Sequence, residues 1–159
     1  MPATDAARKR PAGTSSTTWT DEERAAAQAA VQERQAAARR DGVDDRAAGL
    51  QDLRDSIAKM PPDDRTMAER IHEIVTAAVP ALVSKTYYGM PAYATERKNG
   101  KTIAFFKPKS KFRVRYSTFG FQPDAKLDDG EMWPTEFAVI ELTPDVEARI
   151  AALVKKAVG

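Results

Sequence analysis

The spacing of apolar residues changes twice along this chain, from three-and-four to two and back again. Ala47, Leu50, Leu53, Ile57 and Met60 recur three or four positions apart, which places them on one stripe of a helix. Pro61-Pro62 ends that helix, because proline removes an amide donor and clashes with the preceding turn. A second stripe of Met67, Ile71, Ile74, Val75 and Ala78 predicts an amphipathic helix from Asp63 or Asp64 to about Pro80. Val146, Ile150, Leu153, Val154 and Ala157 repeat the pattern near the C-terminus, behind Thr143 as a cap and Pro144 at the first helical position. Lys155 and Lys156 suit the negative end of that helix. Ahead of all three, Thr20 and Glu23 have the spacing of a capping box and open an Ala-rich helix running to about Arg40. Val31 is its only large aliphatic residue, so this helix buries little area and either lies loosely on the domain or projects into solvent.

Between these helices the period becomes two. Asn99-Gly100 is the strongest two-residue hairpin turn in the chain, and Lys107-Pro108-Lys109-Ser110 makes a four-residue connection from 101–106 to 111–116. Together the two turns predict a register. Phe105 lies opposite Phe112 and Ala94, and Ile103 opposite Val114 and Glu96. The other face carries Tyr93, Phe106 and Lys111, then Thr95, Ala104 and Arg113, then Arg97, Thr102 and Arg115. A last strand is expected from Glu136 to Leu142. The fold class is therefore α+β: a small antiparallel sheet, a meander plus a C-terminal strand, packed with helices. Residues 1–18 read as a disordered tail, 19–60 as a helical arm, and 61–159 as the α+β domain.

Composition narrows the function classes. The 159 residues are 42% hydrophobic and 30% charged with a net charge of +2, which suits a soluble globular protein and gives no global field toward nucleic acid or membrane. With no Cys, disulfides, cysteine zinc sites, iron–sulfur clusters and thiol catalysis are excluded. The N-terminal stretch lacks the apolar run of a signal peptide, and no stretch approaches the ~20 apolar residues that span a bilayer, so a cytoplasmic location is expected. Neither nucleotide-binding glycine fingerprint occurs. The chain has one His, so Glu69-x-x-His72 cannot complete a di-iron site, and a Ser–His–Asp triad would have to use His72 without any nucleophile elbow. Asp124, Asp128, Asp129 and Glu131 around Gly130 read as a solvated turn.

Two surfaces remain as candidates. Lys107, Lys109, Lys111, Arg113 and Arg115 alternate beside Tyr93 and Phe106, the combination by which exposed sheets bind single-stranded nucleic acid through stacking and phosphate neutralisation. The alternatives are a strand face kept soluble by its cations, or a face covered by the N-terminal helices with the basic stems reaching out. Trp133 and Phe119-Gly120-Phe121 add aromatic surface that either closes the core or roofs a small pocket near Tyr88 and Met90, suited to an anionic or planar ligand. The candidate ligand-binding residues are thus Tyr88, Met90, Tyr93, Phe106, Lys111, Arg113, Arg115 and Trp133.

The run Tyr88-Gly89-Met90-Pro91-Ala92-Tyr93, followed by Asn99-Gly100-Lys101 and Phe105-Phe106, resembles the YdhG-like family of uncharacterised domains. The likeness spans roughly Asp64 to Gly159, and Trp19 to Arg24 together with Met132-Trp133-Pro134-Thr135 is similar to a subgroup. It implies a compact α+β fold in a bacterial, cytosolic protein. Some members are described as frataxin-like iron chaperones, so the resemblance also implies loose iron handling by carboxylates, which suit a hard cation. On this chain the corresponding acidic positions are Asp63, Asp64, Glu69 and Glu73, interrupted by Arg65 and Arg70. The expectation is a non-catalytic binding or chaperone-type protein, with nucleic acid or an anionic small ligand as the alternative. The N-terminal arm would dock on its own domain or on a partner.

Overall fold

The computed structural model describes residues 19–39, 45–95 and 100–159. Three helices come first: α1 (Asp21–Arg39), α2 (Asp45–Ala58) and α3 (Pro62–Ala78). Strands β1 (Val83–Tyr87), β2 (Met90–Ala94) and β3 (Thr102–Lys107) follow, then the short helix α4 (Lys109–Phe112). Strands β4 (Ser117–Phe121) and β5 (Glu136–Val139) and helix α5 (Pro144–Val158) complete the chain. The strands form one antiparallel sheet in chain order, so the α+β class expected from the periodicity is what the structure has.

Local sequence explains the helix starts. The Thr20 amide donates to Glu23 Oε2 at 2.9 Å and the Glu23 amide donates to Thr20 Oγ1 at 3.1 Å, which are the two reciprocal bonds of a capping box. Thr143 accepts the Val146 amide through its hydroxyl at 3.3 Å, with Pro144 pre-set for the first turn of α5. Of the apolar stripes read from the sequence, Leu53 and Ile57 on α2, Ile71, Ile74 and Val75 on α3, and Ile150, Val154 and Ala157 on α5 are buried, while Leu50, Met67, Ala78, Val146 and Leu153 are partly buried and Ala47 is exposed.

These three helices cover one face of the sheet. That face carries Tyr93, Ala104, Phe106, Phe119 and Phe121, and together with Leu53 and Ile57 of α2 and Met60 just beyond its end they form one continuous core. Tyr93, Phe106 and Phe119 have no exposed surface, and full burial of such a side chain contributes roughly 1.5–3 kcal/mol. The rings meet edge to face, Phe119 against Phe121 at 5.2 Å and Phe121 against Phe137 at 6.2 Å. Arg70 of α3 forks onto both Glu147 oxygens of α5, at 2.6 and 2.9 Å, and also reaches Glu73 at 2.7 Å. A smaller cluster on the opposite face joins Met90, Ala92 and Phe105 to Tyr87 and Phe112.

The sheet differs from its sequence reading in three respects. First, β1 was not anticipated: the run through Tyr88 is the turn of a tight hairpin, and Val83 to Tyr87 forms its first strand, paired residue for residue with Met90 to Ala94. Tyr88 and Gly89 both have positive φ, 50° and 77°, as a type I′ two-residue turn requires. Second, 111–116 is not a strand. Lys109–Phe112 coils into α4, Arg113 closes it in the left-handed region at φ 52°, and the strand that pairs with β3 is 117–121. The cause is capping: the Ser110 amide donates to Asp64 Oδ2 at 3.2 Å and the Lys109 amide to Ser117 Oγ at 3.0 Å. Third, the β2–β3 register moves by two residues. Phe105 lies opposite Ala92 and Tyr93 opposite Ala104, with an irregularity at Tyr93/Ala94, while on its other side Phe105 faces Gly120 of β4. A two-residue slip preserves which side chains share a face. Asn99, the first residue of the expected Asn-Gly turn, lies outside the described residues, as do Glu96 and Arg97.

Candidate functional site

The residues proposed from sequence for a basic, aromatic sheet face do not meet on one. Tyr93 and Phe106 are sealed beneath the helices, so neither ring can stack on a base, and burial pushes the Tyr93 phenol up from its ordinary value. The Tyr93 hydroxyl reaches His72 Nδ1 on α3 at 3.1 Å, with the two rings stacked at 5.9 Å. His72 is thereby accounted for as a core-edge partner. Burial and the nearby Arg54 charge hold its imidazole below the ordinary range, with Glu73 acting in the opposite direction. Met90 is buried in the smaller cluster, and Trp133 is half-buried against the main core. Arg113 points away to pair with Glu22 of α1 at 2.8 Å, and Arg115 stacks on Tyr116.

Of the acidic positions, only Asp63 and Asp64 come together. Glu69 is exposed, Glu73 pairs with Arg70, and the carboxylate of Asp64, 2% exposed, accepts from the Ser110 amide. Asp63 lies with Lys109, Arg115 and Tyr116 at a small depression of about 190 Å³. Among the described residues, no three His, Asp or Glu side chains come together in a way that would hold a metal ion.

What the fold does bring together is a cleft of about 570 Å³ between α1, α2, the β1–β2 hairpin and the β3–α4 junction. Its size falls within the usual range for small-molecule sites, roughly 300–1,000 Å³. Ala29, Gln32 and Glu33 of α1 form one wall; Asp52, Asp55 and Ser56 of α2, with Lys59 in the turn after it, form the wall facing it. Thr86 and Gly89 come from the hairpin, and Ser110 and Lys111 from α4, while Met60, Pro61 and Pro108 supply apolar surface. The α2 residues fall at helical spacing on the side away from Leu53 and Ile57, so a single helix feeds the core with one face and the cleft with the other.

The hairpin turn is the centre of this geometry. A non-glycine residue in the left-handed region costs about 1–2 kcal/mol, so the conformation of Tyr88 has to be held by its neighbours. Two ties hold it. Lys111 Nζ donates to the Tyr88 carbonyl, and the Gly89 amide donates to Glu33 Oε1 of α1 at 2.7 Å. At position 89, side chains of α1 and α4 also come close to the turn. A Cβ there would lie 2.8 Å from Lys111 Nζ and 3.2 Å from the Ala29 methyl, and the φ of 77° already disfavours a side chain. Burial pushes the Lys111 amine down from its ordinary value, and the Glu33 charge partly offsets this.

Of the ligand candidates read from the sequence, the cleft gathers Lys111, whose amine donates to the Tyr88 carbonyl; of the acidic ones, it gathers Asp64. Sequence reasoning passed over Glu33, Asp52, Asp55, Ser56 and Lys59. Only the i, i+3, i+4, i+7 polar row on α2 pointed to them, and a polar helix face ordinarily means solvent. The chain matches no protein-family model, no curated protein and no solved structure, so the fold and the geometry of this cleft carry the functional reading.

Proposed function

We propose that this protein is a non-catalytic binding module that holds a small organic molecule in the cleft between α1, α2 and the first hairpin. The observation that carries this reading is the cleft itself, with a half-buried amine and hydroxyls set among apolar surface. Four carboxylates, Glu33, Asp52, Asp55 and Asp64, face two amines, Lys59 and Lys111, so the lining disfavours a multiply charged anion. The chemistry best suited is a neutral or singly charged molecule with hydroxyl or carbonyl groups and an apolar body. The YdhG-like resemblance fits a binding protein in general. Its iron-handling version gains no support from Asp63, Asp64, Glu69 and Glu73 as they are placed here.

The test is thermal denaturation against a panel of polyols, small carbonyl compounds, amines, nucleotides, ferrous iron and short oligonucleotides. A ligand at about 100 times its Kd stabilises the folded state by roughly 2.7 kcal/mol. The expected result is a rise in Tm with one or more neutral carbonyl or hydroxyl compounds, lost in Gln32→Trp, which places a ring in the cleft from an exposed position on α1. Stabilisation by iron or oligonucleotides alone, or a shift unaffected by Gln32→Trp, would overturn the reading.

A further inference from the structure

We propose that Lys111 is a covalent anchor in this cleft, forming an imine with an aldehyde or ketone ligand. The inference rests on the cleft being a ligand site and names the reactive class it takes. Three structural features support it. The amine sits in the wall of a cavity large enough for a drug-sized molecule, and its side chain is half-buried. Its backbone is fixed, because α4 is pinned by the Ser110 amide on Asp64 and by the Lys109 amide on Ser117. Its tip is fixed as well, by the Tyr88 carbonyl, at a turn where glycine leaves the space beside Nζ free of side chain. Preorganising both ends of a flexible lysine removes entropy that would otherwise be lost on reaction.

Desolvation lowers the affinity of this amine for its proton, so more of it is present as the neutral nucleophile near neutral pH than for a solvated lysine. A neutral primary amine has two N–H bonds and one lone pair. One N–H can keep its hydrogen bond to Tyr88 while the lone pair faces the cleft. That pair attacks the carbonyl carbon, the C=O π pair moves to oxygen, and one N–H proton passes to that oxygen to give a neutral carbinolamine. Loss of hydroxide together with the one remaining N–H proton, as water, leaves the imine. Amine plus carbonyl gives imine plus water, with no redox change. A carbonyl ligand also suits a lining with four carboxylates and only two amines better than a phosphate does.

The experiment is reductive trapping: the full chain with limiting benzaldehyde and sodium cyanoborohydride near pH 7, followed by intact mass and peptide mapping. The expected result is that the Lys111 peptide gains a benzyl group several-fold faster than those of Lys155 and Lys156, which are exposed on α5. Gln32→Trp should slow only the Lys111 label. Lys111→Arg should abolish the fast phase, while arginine keeps a donor for Tyr88. Labelling of Lys111 no faster than of those exposed lysines overturns the proposal, a result read on the wild-type protein and independent of how any variant folds. If that occurs while polyols or amines still raise Tm through the cleft, the binding reading stands and only the imine fails. If neither is seen, both fail.

Discussion

The two sides of α2 are built on different principles. Toward the sheet, Leu53 and Ile57 meet a continuous apolar core shared with α3, α5 and the rings of Tyr93, Phe106, Phe119 and Phe121. Toward α1, the same helix presents Asp52, Asp55 and Ser56 to an open cleft, with Lys59 in the turn after it. Among the described side chains of α1 only Ala26 is buried, whereas α3 buries five residues. What holds α1 is a small set of contacts: Glu33 on the Gly89 amide, Glu22 on Arg113, and the Ala29 methyl against the hairpin turn. Apolar packing produces a side without gaps, while a few directional ties hold a helix at a distance and leave room for a ligand.

The comparison is broken most directly on the core side. Phe106→Ala removes a fully buried ring at the centre of the sheet and should lower unfolding free energy by about 3–5 kcal/mol, read from the shift in urea midpoint. Gly49→Ala comes next. A Cβ there would lie 2.2 Å from the Ser84 carbonyl oxygen, so α2 must lift from β1 despite the better helix propensity of alanine, and a net loss of about 1–3 kcal/mol is expected by the same assay.

The cleft side should respond differently. Glu33→Ala leaves the Gly89 amide without its partner and should cost about 1 kcal/mol. The loss should appear as faster amide exchange in α1, with α3 and α5 unchanged. The smallest effect is a dependence on pH. Because His72 is held below its ordinary 6.5, the folded state binds fewer protons than the unfolded state as pH falls through that value. Stability should therefore decline on acidification below about 6.5 and recover above it. His72→Gln, which can still bond the Tyr93 hydroxyl, should flatten that slope in a series of denaturation curves.

Much of the core side was legible in the sequence. The stripes of α2, α3 and α5 are dictated by helical period, and the Thr20 and Thr143 caps by chemistry within four residues. The sparse burial on α1 follows from Val31 as its single large aliphatic residue, and Val31 is indeed 43% exposed. Tertiary ties hid the rest. β1 has polar Ser84 and Thr86 between Val83 and Tyr87, and its turn uses Tyr88 where asparagine or aspartate is usual, so neither strand nor hairpin announces itself. The alternation of Lys111 to Tyr116 imitates a strand, yet Asp64, 46 positions upstream, caps this segment into a helix. Val114, expected to lie opposite Ile103, is 46% exposed as a result. The cleft was not legible because its walls are α1 and α2 faces that each look solvent-directed until the hairpin brings them together.

The most direct test of the account is amide hydrogen exchange along the whole chain under native conditions. If α1 is a separately held wall of the cleft, its amides should exchange through a local opening, well before those of α2, α3 and α5. Gln32→Trp should leave that order intact, and Glu33→Ala should accelerate α1 alone. Protection of α1 equal to that of α3, lost only on global unfolding, would contradict the account by making α1 part of the same core.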